Sequence, residues 1–343
     1  MSHASTTEPM VLVTGSAGFI GSHVAQRLLD EGHRVLGLDN LNDYYDVNLK
    51  KARLARLEQY PKYHHAHADL ADRQAIESVF RQHQPRRVIH LAAQAGVRYA
   101  ATNPHAYTSA NVTGFLHILE GARHHPVDHL VYASTSSVYG ANTDMPFSEN
   151  QSTEHPLTLY AATKKANEMM AHSYAHLYGI PCTGLRFFTV YGPWGRPDMA
   201  LFLFTRAILA GEPIQVFNHG HHQRSFTYID DIVDGVVAIS EQPATADSNW
   251  SSLTPNPASS NAPYRLFNIG NQQPIELLRY IEVLEACLGK KAHMEMRPLQ
   301  PGDVPDTQAD VSALIDATDQ APQVSVEDGV ARFVEWYRDY YQV

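Results

Sequence analysis

Cysteine, positive charge and long apolar runs are all scarce in this sequence. Cysteine occurs twice, at Cys182 and Cys287, which suits a reducing compartment. Lysine and arginine total 26 against 36 acidic residues, and the net charge of −10 disfavours nucleic-acid binding. No apolar run approaches the ~20 residues that span a bilayer, and the opening MSHASTTEP lacks the basic and apolar regions of a signal peptide. These absences predict a cytoplasmic protein with neither a membrane span nor a nucleic-acid partner.

The spacing of apolar segments predicts the fold class. The 343 residues suffice for about two domains at roughly 150 residues each. Short β-branched runs alternate with helical stretches up to about residue 187, as in a doubly wound, Rossmann-type α/β fold with a parallel sheet. Predicted strands lie at 10–14, 34–38, 87–92, 129–133 and 182–187, and predicted helices at 21–31, 72–83, 107–124 and 158–179.

Beyond residue 187 the alternation loosens, which predicts a second, smaller α/β domain. Helical patterns continue at 199–210, 229–241 and 274–288. The segment between the last two is rich in Pro, Ser, Asn and Ala, which is typical of an exposed loop. The predicted division is a larger domain over 9–187, to which the chain returns around 226–243, and a smaller domain over 188–343 that includes the exposed loop 243–263.

Three glycines, Gly15, Gly18 and Gly21, follow the first predicted strand and open the first predicted helix. Glycines in this place permit a tight turn and let backbone N–H groups approach a pyrophosphate. Their G-x-x-G-x-x-G spacing departs from the common G-x-G-x-x-G, and a tight turn without a ligand is the simpler alternative. Asp39 ends the second predicted strand, about 20 residues further on, where a carboxylate binds an adenosine ribose and repels a 2′-phosphate. Together these features favour NAD over NADP.

Two further segments follow predicted strands and are candidates for the same nucleotide site. Asp69 and Leu70 come after a strand-like stretch, where they would contact an adenine. Leu91, Ala92 and Ala93 end the next strand, and their small side chains leave room for a dinucleotide.

Tyr160 and Lys164 are candidates for general acid–base chemistry. They lie four residues apart in a predicted helix, so both side chains share one face. A tyrosine is a poor base at neutral pH, but a nearby ammonium and an oxidised nicotinamide would favour its phenolate. The simpler alternative is a surface Tyr–Lys pair. The hydroxyl cluster Ser134–Ser137 strengthens the catalytic interpretation, because it follows a predicted parallel strand at the edge where such sheets bind ligands.

Seven motifs occur in one order along the chain. They are TGSAGFIG, Asp39–Asn40, HLAAQAGV, YASTSSVYG, Tyr160-x-x-x-Lys164, RFFTVYGP and RSFTYIDD. Together they resemble the extended short-chain dehydrogenase/reductase family from about residue 10 to residue 340. Within that family the chain is most similar to NAD-dependent nucleotide-sugar 4-epimerases, and especially to UDP-glucuronate 4-epimerases.

The resemblance implies a role for each matched residue. The larger domain would bind NAD, with Lys164 on the nicotinamide ribose and Tyr160 as the base beside the catalytic hydroxyl of Thr135. The smaller domain would bind the nucleotide sugar. The remaining cofactor residues would be Gly15, Gly18, Phe19, Ile20, Gly21, Asp39, Asn40, Asp69, Leu70, Leu91, Ala92, Ala93 and Ser134. The substrate residues would be Ser136, Ser137, Thr189, Arg196, Arg224 and Asp303.

Two positions depart from related enzymes. Ser225 stands where the R-D-F form of the motif has aspartate, and Gln300 stands where galactose epimerases have a second arginine for the diphosphate. The resemblance also implies a homodimer through the helices at 107–124 and 164–178. No metal is expected, because the histidine-rich segment NHGHHQ has no obvious further ligand nearby in the sequence.

The favoured function is 4-epimerisation of UDP-glucuronate, and several alternatives stay open. The enzyme would oxidise C4, let the 4-keto sugar turn over and return the hydride to its other face. A C6 carboxylate needs hydrogen-bond donors and no nearby acid, a need that Ser136, Ser137, Thr189 and Arg196 would meet. UDP-glucose and UDP-N-acetylglucosamine are alternative substrates. Decarboxylases and 4,6-dehydratases of the family carry an acid after the catalytic hydroxyl, and non-catalytic NAD sensors lack the Tyr–Lys pair.

Overall fold

The computed structural model describes residues 8–299, 304 and 306–343. Within these ranges the strands are β1 Met10–Thr14, β2 Arg34–Asp39, β3 Tyr63–His67, β4 Arg87–His90, β5 His129–Thr135, β6 Cys182–Phe187, β7 Thr189–Tyr191, β8 Ile214–Val216, β9 Gln223–Arg224, β10 Phe226–Tyr228, β11 Tyr264–Ile269, β12 Ile275–Glu276, β13 Met294–Met296 and β14 Asp306–Thr307. The helices are α1 Phe19–Asp30, α2 Val47–Leu57, α3 Arg73–His83, α4 Tyr99–Thr102, α5 Pro104–Tyr107, α6 Gly114–His124, α7 Leu159–Tyr178, α8 Ala200–Ala210, α9 Ile229–Ser240, α10 Leu277–Leu288, α11 Ser312–Thr318 and α12 Val326–Tyr341.

A parallel sheet forms the centre of the molecule. In the described part of the chain it has seven strands in the order β11-β6-β5-β4-β1-β2-β3. The strand order reverses between β1 and β4, which is where open α/β sheets bind ligands. The predicted Rossmann-type α/β fold is confirmed.

Alternation along the strands divides the core between the two faces of the sheet. Val11 and Val13 of β1 join the core that packs under α1 and α9. Leu12, which lies between them, joins the opposite core with residues of α3, α6 and α7. Since successive side chains of a strand point to opposite faces, a wholly apolar strand such as MVLVT is buried on both sides.

The predicted helix at 107–124 is interrupted. It begins as the short helix α5, continues as a π-helical turn over Thr108–Thr113 and becomes α-helical in α6. Within the turn, Asn111 is buried, and its side chain donates to the carbonyl of Gln94 and to the hydroxyl of Thr163. The wide turn therefore places an amide between the loop after β4 and helix α7, which a periodic apolar pattern does not predict.

The second half of the chain adds small sheets and one strand of the large sheet. Helices α8, α9 and α10 lie where the apolar pattern predicts them, and α12 packs on α10. Strand β11 pairs in parallel with β6, and the sequence analysis did not identify it. The division into domains at residue 187 stays a prediction. No helix among the described residues has the length and apolar character to cross a membrane.

Candidate active site

The turn between β1 and α1 is shaped by its glycines. Gly15 has a φ of +74°, and a Cβ there would lie 2.9 Å from the backbone nitrogen of Ala92. A Cβ on Gly21 would lie 2.0 Å from the carbonyl oxygen of Gly15. Helix α1 begins at Phe19, and its N-cap Gly18 supplies no side-chain hydrogen bond. The N–H groups at the N-terminus of α1 are therefore available to a ligand, and the turn fits a pyrophosphate.

Asp39 ties the end of β2 to this turn. One carboxylate oxygen accepts from the backbone N–H of Ala17 at 3.1 Å, and the other accepts from that of Leu41 at 2.8 Å. The carboxylate is thus fixed beside the glycine-rich turn, at the edge of the sheet where an adenosine ribose would lie. Asn40, the next residue, donates to Asp69 at 2.8 Å, so two predicted nucleotide residues are in direct contact.

The other predicted cofactor residues follow the carboxyl ends of neighbouring strands. Ala92 follows β4, and its N–H donates to the hydroxyl of Thr14 at the end of β1. Leu70 is buried in the core after β3. The structure brings most of the predicted cofactor residues to one edge of the sheet, around the reversal of strand order. They are Gly15, Gly18, Phe19, Ile20, Gly21, Asp39, Asn40, Asp69, Leu70, Leu91, Ala92 and Ala93.

Tyr160 lies in the first turn of α7, whose N-cap is Thr158. Its phenol lies beside Thr135, the last residue of β5. Burial raises the pKa of the phenol above its ordinary value, while the neighbouring hydroxyl of Thr135 and the positive charge of Arg196 act in the opposite direction. The contribution of Arg196 was not foreseen from the sequence.

Lys164 lies one turn after Tyr160 and is almost fully buried, with 2% of its surface exposed. Its ammonium donates to the carbonyl of Ala133 on β5 at 2.9 Å. Burial lowers the pKa of the ammonium to about 8. The predicted Tyr–Lys pair is therefore not a surface pair: it faces the end of β5 and the hydroxyl of Thr135.

The hydroxyls of the cluster Ser134–Ser137 lie in two different environments. Thr135 caps a 3-10 turn over Ser136–Tyr139, and its hydroxyl accepts from the N–H of Ser137 at 3.2 Å. Ser136 and Ser137 therefore follow Thr135 on a short turn. Ser134 points elsewhere, because its hydroxyl donates to Glu168 at 2.7 Å. Its predicted contact with the cofactor stays a prediction.

A buried ion pair lies beneath the candidate catalytic residues. The carboxylate of Glu168 accepts from Nε of Arg186 at 2.8 Å and from a terminal nitrogen at 2.9 Å. Neither side chain is exposed. Arg186 also donates to the hydroxyl of Tyr139, which in turn donates to Asn268. Sequence analysis missed this network, since charged residues at distant positions in the chain carry no local signal that they meet.

Arg196 and Thr189 lie in the segment after β6. Thr189 begins β7 and is half-buried. Arg196 forms an ion pair with Asp198, and Asp198 also accepts from the hydroxyl of Tyr44 at 3.1 Å. The sequence analysis expected no acid near the sugar carboxylate, whereas Asp198 pairs with the arginine assigned to it. Burial acts to raise the pKa of Asp198, but the charge of Arg196 outweighs it and the pKa is lowered.

The predicted diphosphate residues lie further along the chain. Arg224 is on β9 and is half-buried, and its guanidinium donates to the carbonyls of Gln223 and Val304. Asp303 and Gln300 lie outside the described residues. Ser225, the departure from the family motif, is buried and accepts from the N–H of Ala309 at 3.2 Å. The described residues contain no group of three or more His, Cys, Asp or Glu side chains arranged to hold a metal ion.

The sequence pattern of one family, described as the NAD dependent epimerase/dehydratase family, matches residues 11–254. The chain belongs to this family. The resemblance drawn from the motifs is confirmed, and NAD is the cofactor of the family. The glycine-rich turn, the fixed Asp39 carboxylate and the Tyr160–Lys164 pair are the parts of this family member that fit such a cofactor.

Several relatives are similar to this chain over nearly all of the chain's length. A probable UDP-glucuronate 4-epimerase of Rhizobium meliloti (strain 1021) is 50% identical over 96% of this chain and 97% of its own. UDP-glucuronate 4-epimerase 2 of Arabidopsis thaliana is 47% identical over 97% of this chain and 76% of its own. The crystal structure of a UDP-glucuronic acid 4-epimerase from Bacillus cereus with UDP-glucuronic acid and NAD is 32% identical, covers 97% of this chain and 100% of its own, and superposes with a TM-score of 0.86.

Proposed function

We propose that this protein catalyses the NAD-dependent interconversion of UDP-glucuronate and UDP-galacturonate by epimerisation at C4. The observation that carries the proposal is the position of Tyr160 beside Thr135 at the carboxyl end of β5. Lys164, one turn further along α7, donates to the carbonyl of Ala133 on the same strand, and the charge of Arg196 opposes the burial that raises the phenol pKa. The names of the relatives support the choice of sugar.

Each catalytic side chain has a distinct task in this proposal. Tyr160 takes the proton of the C4 hydroxyl, and Thr135 provides a second hydroxyl at the same oxygen. Lys164 holds the nicotinamide ribose and supports the phenolate with its charge. Bound NAD would accept the C4 hydride and, after the 4-keto sugar has turned over, would supply it to the opposite face of C4. Tyr160 returns the proton to the C4 oxygen as the hydride returns to C4.

The carboxylate of the sugar would be bound by hydroxyls next to Thr135 and by Arg196. Ser136 and Ser137 offer hydroxyls on the turn that Thr135 caps. Arg196, whose Nε and one terminal nitrogen bind Asp198, offers its remaining charge-assisted donors. Thr189 adds another hydroxyl. The 4-keto intermediate of a uronic acid is a β-keto acid that readily loses CO₂, so donors that fix the carboxylate also protect it. Arg224 and Asp303 would bind the diphosphate and the nucleotide ribose, respectively.

The alternatives differ in the residue that follows the catalytic hydroxyl. Related dehydratases and decarboxylases have an acid within two residues of it, but this chain has Ser136 and Ser137. The presence of both Tyr160 and Lys164 disfavours a non-catalytic NAD sensor. UDP-glucose and UDP-N-acetylglucosamine 4-epimerases share the same catalytic groups, so substrate choice rests on the carboxylate site.

We also propose a cytoplasmic homodimer. Helices α6 and α7 carry apolar side chains that are exposed in the single chain, in the places where the family resemblance implies a dimer of four helices. They are Leu116, Met169, Leu177 and Tyr178, with exposed fractions of 38%, 51%, 63% and 43%. Both cysteines are free, as a reducing compartment requires. Sedimentation equilibrium tests the dimer, and Leu177→Glu is expected to shift it to monomers.

The function is tested by product analysis. The purified protein with NAD is incubated separately with UDP-glucuronate, UDP-glucose and UDP-N-acetylglucosamine, and the products are separated by ion-exchange chromatography. We expect UDP-galacturonate from UDP-glucuronate with the largest kcat/KM of the three. Equal kcat/KM values for UDP-glucuronate and UDP-glucose would overturn the carboxylate assignment, and a pentose product from most turnovers would indicate a decarboxylase.

A further inference from the structure

Arg53 is a buried cation that no catalytic assignment uses. It lies on α2, and its side chain is fully buried. Among the described residues no carboxylate lies within ion-pair distance of its guanidinium, which donates instead to three backbone carbonyls and one hydroxyl. A buried charge without a counter-ion is costly unless all its donors are satisfied. Such an arrangement indicates that Arg53 serves to hold these three backbone carbonyls in place.

One edge of this guanidinium holds the segment that leads into Arg196. Arg53 donates to the carbonyl of Trp194 at 3.0 and 2.6 Å and to that of Gly195 at 2.9 Å. Trp194 has a φ of +62°, a left-handed conformation that is unfavourable for a residue with a bulky side chain. Two successive carbonyls can meet one guanidinium because of this turn, and the next residue is Arg196.

The other edge of the guanidinium holds the glycine-rich turn. Arg53 donates to the carbonyl of Ala17 at 3.1 Å and to the hydroxyl of Tyr45 at 2.7 Å. The N–H of Ala17 in turn donates to Asp39. One side chain thus bridges the backbone of the cofactor turn and the backbone that precedes Arg196.

We propose that Arg53 is a positioning residue that fixes the 194–196 backbone against the cofactor turn and thereby sets the preference for a sugar carboxylate through Arg196. The proposal rests on the proposed function. Because the Arg53 side chain is fully buried and its donors bind backbone carbonyls and Tyr45, it would act through the backbone and not by contact with sugar or cofactor. Because its forked donors fit several carbonyls at once, a lysine ammonium cannot replace them, although it keeps the charge. The neighbouring arginine of the helix provides a matched control: Arg56 lies over the ring of Trp194 at 4.8 Å and, in the described residues, makes no hydrogen bond to this backbone.

The test compares Arg53→Lys with Arg56→Lys in the full-length enzyme. The first readout is the ratio of kcat/KM for UDP-glucuronate to kcat/KM for UDP-glucose, which is insensitive to the fraction of folded enzyme. We expect Arg53→Lys to lower this ratio about tenfold or more, and Arg56→Lys to leave it unchanged. In an Arg196→Ala background, Arg53→Lys should cause no further decrease. Tyr45→Phe removes the hydroxyl that accepts from Arg53 but keeps the bonds from Arg53 to the backbone carbonyls, so the ratio of kcat/KM values should be intermediate. This variant replaces Arg53→Lys if Arg53→Lys does not fold.

The second readout is NAD affinity, measured by calorimetry without substrate. We expect Arg53→Lys to weaken NAD binding about threefold or more, because the carbonyl of Ala17 loses its donor. Equal losses of kcat/KM for both sugars would show that Arg53 only stabilises the fold, and would overturn the proposal. An unchanged NAD affinity would overturn the link to the cofactor turn. A wild-type enzyme without preference for UDP-glucuronate would instead contradict the proposed function, and the NAD measurement would then test Arg53 independently.

Discussion

The carboxylate of Glu168 and the guanidinium of Arg186 form a two-point ion pair with no exposed surface on either side chain. Glu168 lies on α7, the helix that carries Tyr160, and Arg186 lies on β6. The pair therefore fixes the rotation of the catalytic helix against the strand beside Thr135. Removal of Arg186 leaves Lys165, at 3.2 Å, as the remaining ion-pair partner of the Glu168 carboxylate among the described residues, so the desolvation of that buried carboxylate is poorly compensated.

Arg186→Met is expected to lower the free energy of unfolding by about 3–5 kcal/mol. The measurement is chemical denaturation followed by fluorescence. Arg73→Met provides the control, because it removes an arginine from the exposed ion pair with Glu77 and should leave the denaturation midpoint unchanged. A similar small effect at both positions would show that the buried pair contributes little beyond the residues that surround it.

Tyr160→Phe should lower kcat by roughly 10²–10⁴, because it removes the phenol that accepts the C4 proton. Steady-state kinetics with UDP-glucuronate provides the measurement. Tyr60→Phe is the control, since its hydroxyl donates to Asp30 at the C-terminal end of α1, the end opposite the glycine-rich turn. If Tyr160→Phe turned over at near the wild-type rate, the proton acceptor would have to be another group.

Asp39→Ala should narrow the preference for NAD over NADP by about tenfold or more. The wild-type carboxylate is an acceptor for a ribose hydroxyl and repels a 2′-phosphate. Dissociation constants of both cofactors, measured by calorimetry, test the expectation. Asp43→Ala removes an exposed carboxylate of the same segment and should leave the preference intact. Wild-type protein that bound NADP as tightly as NAD would contradict the role of Asp39.

Arg196→Ala should lower kcat/KM for UDP-glucuronate by about 10- to 100-fold more than kcat/KM for UDP-glucose. Ser136→Ala and Thr189→Ala should act in the same direction with smaller effects, and release of a pentose product would show that the carboxylate is no longer held. Arg224→Ala is the matched control, because an arginine on the diphosphate affects both sugars equally. The same discrimination in both arginine variants would argue against a carboxylate site at Arg196.

Acid should destabilise the protein through His129. This residue is buried between the carbonyl of Ser240 and the hydroxyl of Thr183, and burial lowers its pKa to about 4. Between pH 6.5 and 4 the unfolded chain binds a proton that the folded chain does not, so stability falls as the pH falls through this range. His129→Gln should reduce that loss by up to about 3 kcal/mol. Unfolding curves at several pH values test this, and exposed His124→Gln should leave the slope unchanged.

Local signals predict the strands and the glycine-rich turn, because they depend on residues that are close in the chain. MVLVT is buried on both faces, and three glycines follow it at once. The i, i+4 spacing likewise places Tyr160 and Lys164 on one helix face. These features require no knowledge of distant residues.

Long-range pairings escape such an analysis. Asp198 is close to Arg196 in the sequence, but Tyr44, whose hydroxyl donates to Asp198, is 154 positions away from that acid. The partners of Arg53 are backbone carbonyls, which every residue possesses. The π-helical turn at Thr108–Thr113 also has no periodic signature.

Strand β11 joins the large sheet about 80 residues after its partner β6 in the chain, and this order affects biosynthesis. Its residues Phe267 and Ile269 complete the same core as Val11 near the N-terminus, and β11 pairs with β6. While the ribosome is still adding the intervening segment, β6 presents an open, parallel-pairing edge to the cytosol. A nascent chain in that state is expected to depend on chaperones. For the same reason, a fragment that stops at residue 187 should aggregate when expressed alone, whereas one that extends beyond Ile269 should be recovered more readily from the supernatant.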